Sequence, residues 1–123
     1  VHGFAGVIGG KTNAPHGEIC GTLLPAVLES HLRKSEENTE IHERLTWVLG
    51  QIDTHFAKGR HGCGIVELRL WSERLGLRSL KGLGLSSEDY FEVASAAAKA
   101  SSMKGTPFPL TNVDLIEILR AAS

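Results

Sequence analysis

Two histidines near the start of the chain, His2 and His16, are the residues best suited to hold a metal ion. A neutral imidazole offers a nitrogen lone pair that suits zinc or ferrous iron. Their separation of 14 residues determines what the backbone must do. Were the intervening segment one continuous helix, a rise of 1.5 Å per residue would hold the rings roughly 21 Å apart, too far to share an ion. A fold-back is needed, and Gly6, Gly9, Gly10 and Pro15 lie where one could form. A pair drawn from the six histidines of the chain also admits a plainer reading as surface or helix-capping side chains. His31, His42, His55 and His61 are assigned to that reading.

A second motif overlaps the first. Ala5 to Thr12 (AGVIGGKT) meets a relaxed form of a phosphate-binding loop, in which glycine amides, a lysine and a hydroxyl cradle a triphosphate with magnesium. Such a loop follows a buried strand and opens a helix. Here only four residues precede it and Pro15 interrupts the chain three residues after Thr12, so nucleoside triphosphate binding is not expected.

The elements that would position these residues read as helices. Val1 to Gly17 holds 5 of the 14 glycines, which predicts a scrap of helix followed by a loop rather than one regular element. From Glu18 to Arg33, Ile19, Leu23, Leu24, Val27, Leu28 and Leu32 form a helical stripe, with Pro25 predicting a kink or a split near Leu24. Lys34 to Glu40 reads as a solvated connection or an N-terminal turn. Ile41, Leu45, Val48, Leu49, Ile52 and Phe56 then trace the clearest amphipathic helix of the chain. Ile65 to Leu75 continues as helix until Gly76, and Leu77 to Leu85 reads as a connection packed over a core. Ser86 or Ser87 caps a helix through Tyr90, Phe91, Val93, Ala94 and the alanine run at 96–98. Gly105, Pro107 and Pro109 impose an extended loop, and Thr111 with Asp114 forms a capping box for a last helix. No stretch alternates with period two, so the expected fold is all-α, a single domain of about five helices.

Composition limits the function classes. With 123 residues the chain can bury a core without disulfides or metal. Its 13 basic and 14 acidic side chains create no positive field, so neither nucleic acid nor an anionic membrane is an expected partner. No apolar run is long enough to span a bilayer. Cys20 and Cys63 match no paired-cysteine framework and read as buried thiols of a reducing compartment, so a cytoplasmic protein is expected.

The wording around the histidines carries more than their spacing. His2-Gly3-Phe4-Ala5-Gly6-Val7-Ile8-Gly9, then Pro15-His16-Gly17, then Leu23-Leu24-Pro25 resembles the metal-binding signature of the iron-containing (group III) alcohol dehydrogenases. Leu75-Gly76-Leu77, the Glu88-Asp89 helix start and Gly105-x-Pro107 follow in the family's order. The resemblance covers the whole chain and about the last third of a family member. It implies a full enzyme that oxidises alcohols or reduces aldehydes with NAD or NADP. In such an enzyme an N-terminal domain binds the dinucleotide, and a helical C-terminal domain holds iron or zinc through one aspartate and three histidines. By this resemblance His2 and His16 fall on the third and fourth ligands. The aspartate and first histidine belong upstream of Val1, so the expectation is an incomplete, inactive C-terminal portion with no catalytic residue of its own.

Departures from the pattern are specific. Gly6 stands where many members carry a further histidine, Ala26 follows Leu-Leu-Pro in place of a polar residue, and His31 stands where an asparagine closes that helix. Ser102 aligns with a cysteine near the substrate in some members, which makes it a candidate for the pocket lining, and Thr106 replaces an asparagine. Two other readings are kept: a non-catalytic helical interaction module with a vestigial metal site, and a glycerol-dehydrogenase-like zinc enzyme, to which His16-Gly17-Glu18 bears a superficial likeness. Either portion could expose an apolar face and self-associate.

Overall fold

The computed structural model describes every residue except Asn38, which lies within the connection expected over Lys34 to Glu40. Among the described residues six α-helices follow one another: α1 (His2–Thr12), α2 (His16–Lys34), α3 (Glu40–Phe56), α4 (Gly64–Arg74), α5 (Tyr90–Lys99) and α6 (Asn112–Ala121). Short 3-10 turns at Ser87–Asp89 and Ser101–Gly105 flank α5, and no strand occurs among the described residues. The all-α expectation holds, with one helix more than the five anticipated.

The extra helix is α1, where a scrap and a loop were expected. Gly3, Gly6, Gly9 and Gly10 each weaken a helix by about 1 kcal/mol relative to alanine. Phe4 and Ile8 lie on the face opposite that penalty, at 1% and 0% exposure, and burying two such side chains contributes about 3–6 kcal/mol. Tertiary burial therefore offsets what local propensity opposes. The helix ends at Asn13, whose left-handed φ of 56° lets its amide donate to the Gly9 carbonyl at 2.9 Å. Ala14 and Pro15 then supply the fold-back.

Helix α2 is the hub, packing against α1, α3, α4 and α6. Of the kink or split expected near Leu24, the split does not occur: α2 runs through Pro25 as one helix. The proline withdraws the bond to the Gly21 carbonyl, a loss of about 3 kcal/mol in an isolated helix. Ile19, Leu23, Ala26 and Val27, all buried, hold the two halves to the same core and outweigh it. That core unites α1, α2, α5, α6 and the turn bearing Leu80, Leu83 and Leu85, so the connection from Leu77 does pack inward as expected.

The α3–α4 hairpin sits outside this core. Although α3 has the clearest apolar stripe, the one residue it buries fully is Asp53, and Trp47 is 66% exposed. Leu70, Trp71 and Leu75 of the following segment are exposed too. Asp53 closes the hairpin by accepting the Gly62 amide at 2.8 Å and the Gly64 amide at 2.7 Å. Elsewhere the expected capping box forms, with the Thr111 amide and hydroxyl both donating to Asp114 at 2.7 Å. Lys34, the last residue of α2, reaches the same carboxylate at 2.8 Å and so ties α2 to α6.

These carboxylates make stability depend on acid. The Gly62 amide foremost, with the Gly64 amide and His61 adding to it against the effect of burial, holds the Asp53 carboxyl below its ordinary value of 3.8. For Asp114 burial works against ionisation, but Lys34 and Thr111 outweigh it and the carboxyl again lies low. A group whose folded value lies below its unfolded value stabilises fully above the unfolded value, and loses that contribution as pH falls through the folded one. The urea midpoint of the chain is thus expected to fall as pH drops below about 4. Asp53→Asn should be less stable at pH 7 and show a flatter acid limb. An acid limb as steep in Asp53→Asn as in the unaltered chain would contradict this account.

Candidate metal centre

The turn at Asn13 to Pro15 brings the first turn of α2 against α1. Its consequence is that His2 and His16, each at the start of its helix, face one another with ring centroids 5.3 Å apart. Both are exposed. Cys20 joins them: one ligand atom each from His2, His16 and Cys20 lies within 4.8 Å of the other two. Two imidazole nitrogens and a sulfur form a donor set that zinc accepts readily, so the residues present fit a divalent ion.

Cys20 was expected to be a buried thiol, and so was Cys63. Both are free and only half-buried. Cys63 precedes α4 as its N-cap residue. Cys20 stands four residues after His16, the spacing that places two side chains on one helix face. That spacing was visible in the sequence, but it gains meaning only once α2 is known to begin at His16 and to run unbroken.

Neighbouring groups brace the site without entering it. The Glu18 carboxylate is engaged by Arg78 in a two-pronged pair, Nε to Oε1 at 2.8 Å and Nη2 to Oε2 at 2.7 Å. That pair anchors the Leu77–Leu85 connection to α2. The Arg78 hydrogen bond holds the Glu18 carboxyl below its ordinary range. At the other end of α1, Lys11 pairs with Asp89 at 3.0 Å and Glu92 at 2.8 Å. The segment resembling a phosphate loop is thus the body of α1, with its lysine fastened to the start of α5. Met103 leans on the start of α1 so closely that a Cβ on Gly3 would lie 2.6 Å from its Cε.

The other candidates lie apart from this centre. Ser102 is exposed in the Ser101–Gly105 turn. The surface groove beside it is lined by Met103, Thr106 and Phe108 among others, and Ser102 is not in that lining. His55 and His61 are exposed as expected, and Thr39 rather than a histidine caps α3 by accepting the His42 amide at 3.2 Å. His42 itself is half-buried, its Nδ1 2.8 Å from the Ser35 hydroxyl. His31 departs further from the solvent-facing expectation. It is half-buried, packs on Phe108 with centroids 5.2 Å apart and places Nδ1 2.8 Å from the Val27 carbonyl. Burial lowers its pKa from the usual 6.5.

Comparison with known proteins bears on this arrangement. The fold is similar to one in a crystal structure of 1,3-propanediol oxidoreductase, with a TM-score of 0.74 and 24% sequence identity over 99% of this chain. The matched region is 32% of that protein, so the chain spans about a third of its length. Comparison with curated proteins gives no match. The family model described as Fe-containing alcohol dehydrogenase family, C-terminal, matches residues 1–123. The chain belongs to the Fe-containing alcohol dehydrogenase family and corresponds to its C-terminal helical region.

Proposed function

We propose that this chain is the metal-binding part of an NAD(P)-dependent alcohol dehydrogenase, with His2 and His16 as two of the ligands to a divalent ion, iron or zinc. The observation that supports this reading is the facing pair of imidazoles, 5.3 Å between centroids, created by the fold-back at Asn13 to Pro15. A divalent ion bound there supplies Lewis acidity toward the oxygen of an alcohol or aldehyde. The chain's own contribution is positional. Phe4 and Ile8 fix α1 to the core, Ile19 and Leu23 fix α2, and the two histidines are held at adjacent helix starts with their rings free to receive the ion. Ser102 would belong to the substrate side, in a turn whose Met103 rests against Gly3 beside His2.

Hydride transfer needs a dinucleotide, and these 123 residues carry no glycine-rich loop in the strand-to-helix setting that binds one. By themselves they are therefore inactive toward alcohols with NAD or NADP. Calorimetric titration with zinc, and with ferrous iron under anaerobic conditions, tests the ligand assignment. Binding of one ion per chain is expected, weakened by at least about tenfold in His2→Ala and in His16→Ala. Tight binding that neither substitution changes would overturn the assignment.

A further inference from the structure

We propose that Cys20 is a third ligand, so that this chain holds zinc through two imidazoles and a thiolate; this rests on the reading of His2 and His16 as ligands. Three observations converge. The sulfur of Cys20 and one nitrogen from each histidine lie within 4.8 Å of one another. A tetrahedral zinc with bonds of about 2.0–2.1 Å to nitrogen and about 2.3 Å to sulfur needs its donors about 3.3–3.6 Å apart, a closure of up to about 1.5 Å that side-chain torsions can supply. Cys20 has no disulfide partner and is half-buried, which leaves the sulfur reachable by an ion. Lastly, His16 and Cys20 are one turn apart on the same face of α2, a continuous helix that fixes their separation, while His2 arrives from α1.

These three donors would fill part of a zinc coordination shell, its other positions being left to water or to further ligands. A thiolate also shifts the preference toward zinc over ferrous iron, because sulfur is the softer donor. Binding converts the Cys20 thiol to a thiolate: the S–H bond breaks, a zinc–sulfur bond forms and one proton passes to the buffer. No oxidant or reductant takes part.

Zinc and cobalt(II) titrations of the 123-residue chain, beside Cys20→Ser and Cys63→Ser, test the proposal. The expected result is one zinc per chain, an affinity at least about tenfold lower in Cys20→Ser, and no change in Cys63→Ser. Cobalt-loaded chain should show a sulfur-to-cobalt charge-transfer band in the near ultraviolet, retained in Cys63→Ser and lost in Cys20→Ser. Because the band is read on the unaltered chain, it does not depend on how well the serine variant folds. Zinc should also slow alkylation of Cys20 by iodoacetamide more than that of Cys63. Metal binding that still depends on His2 and His16, but with no charge-transfer band and unchanged affinity in Cys20→Ser, overturns the thiolate ligand and leaves the histidine assignment standing. Binding that ignores both histidines, or no binding at all, overturns both.

Discussion

Replacing Phe4 with alanine is expected to lower the unfolding free energy by about 3–5 kcal/mol, the usual effect of emptying a fully buried aromatic site. Phe4 is 1% exposed and belongs to the central cluster with Ile8, Leu23 and Val93. Against the 5–15 kcal/mol typical of a domain, this is a large fraction of the whole. The effect should reach the metal site, because α1 carries four glycines and depends on Phe4 and Ile8 to stay helical and docked. Zinc affinity is thus expected to fall in Phe4→Ala although residue 4 touches no ion. Phe91→Ala is the matched control. Phe91 lies in the same kind of apolar helical run, yet it is 69% exposed, and its loss should change stability by less than about 0.5 kcal/mol. Urea unfolding of the two variants side by side decides the matter, and equal losses would mean that α1 does not dock as described.

A single added methyl group at Gly64 is expected to be nearly as disruptive. A Cβ there would lie 2.5 Å from the Asp53 amide nitrogen, 2.7 Å from its Oδ1 and 2.7 Å from the Ile52 carbonyl carbon. Two of those three atoms are backbone, so no flexible side chain can yield, and α3 and α4 must separate. Overpacking of this kind costs about 1–3 kcal/mol. Displacement also breaks the 2.7 Å hydrogen bond from the Gly64 amide to the Asp53 carboxylate, and a bond to a charged group contributes about 1.5–3 kcal/mol. Gly64→Ala should therefore destabilise by about 2–5 kcal/mol, the two effects overlapping. Gly50→Ala provides the opposite sign. Gly50 lies inside α3 with nothing within 4 Å of its missing Cβ, so alanine there should stabilise by up to about 1 kcal/mol. If the two alanine variants shift the urea midpoint in the same direction, the contact between α3 and α4 is not the one described. Since the α3–α4 hairpin lies outside the main core, Gly64→Ala should leave zinc affinity at the α1–α2 site largely intact. That separates it from Phe4→Ala.

What the sequence determined by itself are the features whose physics is local. The capping box at Thr111 and Asp114 joins residues three apart, and the stop at Gly76 rests on a φ of +91° that glycine adopts without strain. The helical class also needed only the spacing of apolar residues. His2 and His16 were legible as ligand candidates from their motif, which gives identity and order along the chain but no distance. Only the tertiary structure decided the rest. It made a helix of the glycine-rich start, because burial of Phe4 and Ile8 offsets a propensity penalty that local reading counts alone. It kept α2 whole across Pro25 because both halves pack on one core. It left the best-patterned helix, α3, half-wet, since a stripe marks which face is apolar and not how much of it another element covers. It also turned Cys20 from an apparent core thiol into a neighbour of both histidines. Whether a cysteine in an apolar stretch faces inward or toward an ion depends on where a helix starts and what crosses it, and these are set by packing between residues distant in the chain.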